Sequence, residues 1–98
     1  MFLARVIDNV VSTQKSPRCD GMELLLVQPH ITQGDRLVSS GSSVVAVDTV
    51  GAGEGALVLF TQGSSARLTD ATKDSPVDTV IIGIVDTVEL GGKRVAPQ

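Results

Sequence analysis

VDTVIIGIVDTVEL, residues 77–90, decides the fold, because it predicts the longest strand of the chain and is apolar on both of its faces. Side chains alternate along a strand, so the apolar ones divide as Val80, Ile82 and Ile84 on one side and Ile81 and Val85 on the other. One face fits the inside of a barrel. The other requires cover from another part of the chain or from another subunit, and in a chain of 98 residues we favour a subunit.

Four further strands are predicted by runs of β-branched and aliphatic residues bounded by turn formers. They are Phe2–Ser12, Met22–Pro29, Val44–Val50 and Ala56–Gln62. The first two predict one hairpin and the next two a second hairpin, joined by the glycine turn Gly51–Gly55. Pro29 is expected to end its strand, and His30–Ser43 is expected to be an exposed loop. Gly83 predicts a bulge or a close approach in the last strand.

Five strands with short turns favour an all-β fold, a small antiparallel barrel of the OB-like kind, because closure removes exposed sheet edges. A serine followed by Ala66, Arg67 and Leu68 predicts one short helix between the fourth and fifth strands. The chain is interpreted as a single domain over residues 1–98, with the barrel in 1–90 and a C-terminal tail in 91–98.

Composition excludes several classes of function. The net charge is -3 and the only aromatic residues are Phe2 and Phe60, so neither a nucleic acid nor an anionic membrane surface is an expected partner. No apolar run approaches the roughly 20 residues of a membrane span. Cys19 is the only cysteine, which rules out an intrachain disulfide and fits a reducing cytoplasm.

The residues that could carry chemistry lack the partners that chemistry needs. GAGEG, residues 51–55, resembles a phosphate loop but is followed by a predicted strand instead of a helix. Ser64 and Ser65 have no neighbouring base, since the only histidine is His30. The cluster of Asp70, Lys73, Asp74 and Asp78 is interpreted as interface polarity. We therefore predict no enzyme activity, no cofactor and no metal.

Four segments together resemble the EutN/CcmL family of pentameric vertex proteins of bacterial microcompartments. They are NVVSTQKSPRCDGMELLLVQP (9–29), VAVDTVGAGEGALVLFTQGSSAR (45–67), DSPVD (74–78) and VIIGIVDTVE (80–89). Asp8 stands where the family commonly has glycine, and Glu23 where it commonly has lysine. These two departures could alter pairing with neighbours.

The resemblance implies a homopentamer with a central pore that closes the fivefold vertices of a cytoplasmic shell tiled by hexameric proteins. Small residues suggest which segments lie near the axis, namely Gly51, Ala52 and Gly53, and Gly63, Ser64, Ser65, Ala66 and Arg67. Candidates for contacts between subunits or with the hexamers are Lys15, Arg18, Asp74, Asp78, Ile81 and Val85. The alternatives are an OB-type module that binds a nucleic acid or a small ligand, and an enzyme that uses the serines or the aspartates.

Overall fold

The computed structural model describes residues 1–11, 22–63 and 78–96. This part of the chain is all-β and contains no helix. Its strands are β1 (Phe2–Val10), β2 (Glu23–Gln33), β3 (Arg36–Ser39), β4 (Val44–Asp48), β5 (Leu57–Gln62), β6 (Thr79–Ile84), β7 (Val88–Leu90) and β8 (Lys93–Ala96). The short helix predicted at residues 64–68 lies outside the described residues.

Five strands close into a barrel in the order β1-β5-β6-β4-β2, and β2 pairs with β1 to complete the ring. The prediction of a purely antiparallel barrel is wrong, because β4 and β6 run parallel, with Val47 opposite Val80 and Asp48 opposite Ile81. Strand direction cannot alternate all the way around a ring with an odd number of members. A closed barrel of five strands therefore contains at least one parallel pair.

The barrel core is built from aliphatic side chains and one phenylalanine. Its buried members are Ala4, Val6, Leu25, Val27, Ala46, Val58, Phe60 and Ile81. They follow the alternation along each strand, so that Leu25 and Val27 point inward while Leu24 and Leu26 are only half-buried. The Phe2 and Phe60 rings contact each other at a centroid distance of 5.3 Å, where the core meets one open end of the barrel.

The first predicted hairpin is confirmed by the antiparallel pairing of β1 with β2. The second is wrong, because β5 pairs with β1 and β6 and not with β4. The turn at residues 51–55 does use positive φ, at Gly51 and Gly55. It connects β4 to β5, which is not its neighbour in the sheet, because β6 lies between them.

Pro29 does not end β2, and His30–Ser43 is not a loop. β2 continues to Gln33 and pairs with β3, so residues 30–39 form a β-hairpin that projects from the barrel. Pro29 lies between the β4 ladder, which ends at Val27, and the β3 ladder, which begins at His30. The Pro29 carbonyl accepts a hydrogen bond from the Ser40 amide at 2.9 Å, so the proline nitrogen faces the side where the strand partner changes. The missing N–H therefore breaks no ladder bond.

The chain from residue 91 does not trail away as a tail. Lys93–Ala96 form β8, which pairs with β7 in a second small hairpin. Val88 and Val95 of this hairpin pack with Leu3 and Val85 against the buried Leu37 and Leu57, on the outside of the barrel. The bulge expected near Gly83 is confirmed, since Leu59 pairs with Gly83 and Phe60 with Ile81, which leaves Ile82 as the extra residue.

Candidate functional site

The outer surface of the barrel carries apolar residues where a solvated barrel carries polar ones. The register places two rows of outward-pointing side chains across neighbouring strands. The first row is Val10, Leu24, Val47 and Val80, and the second row, one step along, contains Leu26 and Val45. We call these six residues the outer apolar face. Such a face on the outside of a sheet is typical of an interaction surface.

The two rows differ in how far the chain itself covers them. Val47 and Val80 are buried at 4% and 0% exposure, with Met22, Leu24 and Ile82 packed against them. Val45 is 48% exposed, and Leu26 beside it is half-buried. Among the described residues, the chain thus covers the part of the face nearest Val80 and leaves Val45 and Leu26 partly exposed.

Carboxylates lie at both ends of the more exposed row. Asp8 pairs with Leu26 in the β1–β2 ladder. Asp78 directly precedes β6, and extending the parallel register of Val47 opposite Val80 by two residues places it level with Val45. Both aspartates are exposed. The row therefore presents two apolar side chains between two negative charges, and Asp78 is one of the residues that the sequence analysis selected as an interface candidate.

The other interface candidates have different positions. Ile81 is fully buried in the barrel core, so its selection is corrected: on β6 its side chain points inward, and Val80 points outward. Val85 is half-buried and packs in the cluster under the C-terminal hairpin. Lys15, Arg18 and Asp74 lie outside the described residues.

The glycine segments selected for the axis are not brought together. The turn that contains Gly51, Ala52 and Gly53 precedes the start of β5, whereas Gly63 follows its end and donates its amide to the Asp78 carbonyl at 2.8 Å. The six residues of β5 separate them by about 20 Å at the rise of an extended strand. Ser64, Ser65, Ala66 and Arg67 lie outside the described residues.

Most backbone amides of residues 50–55 are already engaged, since Gly55 donates to the Val6 carbonyl at 2.9 Å and three others donate to Asp48. Asp48 Oδ1 accepts hydrogen bonds from the Val50 and Gly51 amides at 3.0 and 3.1 Å, and Asp48 Oδ2 accepts one from Ala52 at 2.9 Å. The carboxylate thus occupies the position that an anion would take. This is the physical reason why the resemblance to a phosphate loop has no chemical counterpart.

The described residues provide no constellation for catalysis or metal binding. His30 Nδ1 lies 2.9 Å from the Gln28 carbonyl, in the ladder region of the projecting hairpin. Within residues 1–11, 22–63 and 78–96 no three acidic, histidine or cysteine side chains come together as metal ligands. A helix long and apolar enough to cross a membrane is likewise not found in the parts of the chain that the structure describes.

Sequence reasoning located the doubly apolar character in β6 but missed its continuation over β4 and β2. The signal was present: VVAV at 44–47 and LLLV at 24–27 are apolar at every position, which indicates that both faces of a strand are covered. Only the register shows that the outward members of these runs align in rows.

The fold and the outer apolar face define a class, a small five-stranded barrel protein with apolar side chains on its outer surface. Comparisons with known proteins narrow the class. The profile of the family described as "Ethanolamine utilisation protein EutN/carboxysome" matches residues 1–86. The chain belongs to the EutN/CcmL family.

Relatives in this family are shell vertex proteins. The chain is 46% identical over 89 residues to the microcompartment shell vertex protein GrpN of Rhodospirillum rubrum, covering 91% of this chain and 97% of GrpN. It is 49% identical over 89 residues to the vertex protein PduN of Salmonella typhimurium, covering 90% of this chain and 98% of PduN.

Solved structures give the same result. CcmL of Gloeobacter violaceus superimposes with a TM-score of 0.86 at 40% identity, covering 96% of this chain and 94% of that one. The pentameric microcompartment shell protein GrpN of Rhodospirillum rubrum superimposes with a TM-score of 0.78, covering 92% and 99% of the two chains.

Proposed function

We propose that this chain is a structural shell protein, not an enzyme, and that it forms a homopentamer that closes the fivefold vertices of a bacterial microcompartment in the cytoplasm. The observation that carries the proposal is the outer apolar face, together with membership of a family whose relatives are shell vertex proteins. A solved relative described as a pentameric shell protein supports the ring.

The physical basis of the ring is head-to-tail association. A surface on one protomer that fits a different surface on the next generates a closed ring when the rotation per protomer divides the circle. Covering the exposed apolar side chains of the outer face supplies the driving force, at about 25 cal/mol for each Å² of apolar surface removed from water.

The partners in the shell are proposed to be hexameric proteins. A sheet tiled only by hexagons stays flat, and closing it into a polyhedron requires pentagonal points. A vertex protein therefore acts through its shape, and the reactions belong to the enzymes that the shell encloses.

Gly51–Gly53 and Gly63–Arg67 remain the candidates for lining the axis. Of these residues the structure describes Gly51–Gly53, which precede β5, and Gly63, which follows it.

Native mass spectrometry tests the proposal. The expected species has about five times the protomer mass of 10.2 kDa. Coexpression with a hexameric shell protein is expected to give closed particles, and omission of this chain is expected to give open sheets or tubes. A stable monomer at micromolar concentration, or closed particles of unchanged shape without this chain, would contradict it.

A further inference from the structure

The hairpin that projects from the barrel has one covered face and one open face. We call residues 30–39 the arm. On one side of the arm, Leu37 of β3 is buried under Val88 and Val95 of the C-terminal hairpin. On the other side, Ile31 and Val38 lie opposite each other in the β2–β3 ladder, and Ile31 is 52% exposed.

Phe2 extends this open face toward the barrel. Leu3 pairs with His30, so Phe2 lies level with Ile31. The side chain of Phe2 is 51% exposed, although its ring contacts Phe60 at the barrel end. Phe2, Ile31 and Val38 together form an apolar patch, which we call the arm patch. Nothing in the described part of the chain covers Phe2 and Ile31 more than halfway.

A positive charge stands beside the arm patch. Arg36 pairs with Gln33 at the tip of the arm, and the alternation along β3 places Arg36 on the same face as Val38. Lys93 is engaged by Asp35 at 3.4 Å, and Arg94 lies opposite Glu89 in the β7–β8 ladder. Among the described residues Arg36 has no such acidic partner, so it is the charge that the arm offers to another surface.

The arm patch and the exposed row of the outer apolar face complement each other. The row consists of Leu26 and Val45 between two carboxylates, those of Asp8 and Asp78. The arm patch consists of apolar side chains next to a guanidinium. In a contact between the two surfaces, the apolar side chains of the arm patch would cover those of the row, and Arg36 would lie near an aspartate. Opposite charges placed in this way select a partner and its orientation.

The two surfaces cannot meet within one chain. Leu26 and Ile31 both belong to β2 but differ by five positions, so their side chains point to opposite faces of the strand, about 16 Å apart along it. Surfaces that point away from each other on one protomer can meet only between protomers, and repetition of that contact runs in one direction around a ring.

We propose that the arm patch of one protomer docks on the Leu26–Val45 row of the next copy of this chain, with Arg36 beside Asp8 or Asp78. This inference rests on the proposed ring and names the two surfaces that form it. A different occupant of the arm patch, such as a hexameric shell protein, is an alternative that the experiment distinguishes.

Photo-crosslinking tests the contact directly. The full chain carries benzoylphenylalanine in place of Ile31, and unlabelled protein is mixed with ¹⁵N-labelled protein before assembly so that crosslinks between chains can be recognised. The expected crosslinks join position 31 to peptides that contain Leu26 or Val45 of another chain. The matched control carries the same probe at Ile84, which is exposed at 48% near the other end of the barrel and is expected to give no such crosslink.

Charge reversal provides a second measurement that does not depend on the probe. Arg36→Glu is expected to raise the protomer concentration at which half of the ring dissociates by about tenfold or more. Adding Asp8→Arg or Asp78→Arg to this variant is expected to reverse most of that change for one of the two. Arg94→Glu makes the same change of charge outside the arm patch and is expected to leave the ring intact.

The outcomes separate this inference from the proposed function. A pentamer whose Ile31 crosslinks lie elsewhere, or whose stability is indifferent to Arg36→Glu, overturns the inference and leaves the ring standing. Crosslinks from Ile31 to a coexpressed hexameric protein assign the arm patch to that partner and also overturn it. A chain that forms no ring at all overturns both.

Discussion

Val80 and Ile81 are consecutive residues of β6, both fully buried, and they are buried in different places. Ile81 belongs to the barrel core, while Val80 lies outside the barrel against Val47. One strand therefore serves two apolar layers, and the two residues are expected to respond differently to substitution.

Ile81→Ala should destabilise the protomer by about 2–5 kcal/mol, because it leaves a cavity in a closely packed core. Urea denaturation of parent and variants at the same protomer concentration measures the change, because the apparent stability of an assembled state depends on that concentration. Ile81→Val should cost only about 0.5–1.5 kcal/mol. An Ile81→Ala protein that is as stable as the parent but fails to assemble would restore Ile81 to the interface and contradict its position in the core.

Val45→Lys should disrupt the ring without unfolding the barrel. Val45 and Ile84 have the same exposure, 48%, so Ile84→Lys is a matched control for the effect of placing a lysine on the surface. We expect the Val45→Lys protein to keep its β-sheet circular dichroism and to lose most of the pentamer in native mass spectrometry, because a charge would be buried in an apolar contact. An equal loss of pentamer from the Val45→Lys and Ile84→Lys proteins would contradict a specific role of the outer apolar face in assembly.

Substitutions at Gly51 and Gly53 test whether the turn needs glycine for its positive φ or for lack of space around a Cβ atom. At both positions a Cβ would meet no heavy atom within 4 Å, but only Gly51 has a positive φ, of 76°. Gly51→Ala should cost about 1–2 kcal/mol, the penalty of a left-handed conformation for a residue with a Cβ. Gly53→Ala should be close to neutral, and a reversed order in urea denaturation would contradict the conformation of the turn.

Asp48→Ala should also destabilise the turn at residues 51–55, because it removes the side chain that accepts the turn's backbone hydrogen bonds. Its carboxylate accepts three backbone amides, and their loss should cost about 1–3 kcal/mol. Asp35→Ala removes a carboxylate whose contact is an exposed ion pair with Lys93, so it should cost less than about 1 kcal/mol. Thermal unfolding of the two variants side by side measures the difference, and similar losses would argue against the role of Asp48.

The sequence was sufficient for the local elements but not for their order in the sheet. Runs of β-branched and aliphatic residues bounded by turn formers predicted the strands of the barrel, and the two-faced pattern of residues 80–85 predicted a second apolar layer. Pro29 led to a wrong prediction, because a proline is tolerated inside a strand only where no ladder bond needs its N–H. That position is visible only in the pairing of β2 with β4 and β3. The second hairpin failed for a related reason. Strand propensity predicts each strand separately and does not predict which strands pair. In the closed barrel β6 lies between β4 and β5, so these two consecutive strands do not form a hairpin.

The family resemblance predicted the family correctly but did not locate the exposed apolar row. It rested on four segments, residues 9–29, 45–67, 74–78 and 80–89. The parts of them that were interpreted as assembly surfaces, at 51–53, 63–67 and 74–78, are mostly turn residues or lie outside the described residues. No sequence motif marks the exposed row at Leu26 and Val45. Leucine and valine are as common in the core-facing positions of a strand as in positions that contact another subunit. Register was needed to show that these side chains point outward.

Among the described residues, the parallel contact between β4 and β6 is the shortest ladder of the barrel, with two pairs, Val47 with Val80 and Asp48 with Ile81. Parallel pairing is also slightly weaker per residue than antiparallel pairing. This junction is where an isolated protomer should open first, and the outer apolar face lies across it. A neighbour seated on that face would hold the junction shut, so that assembly would complete the folding of each barrel and an unassembled protomer would exchange its β6 amides faster than an assembled one.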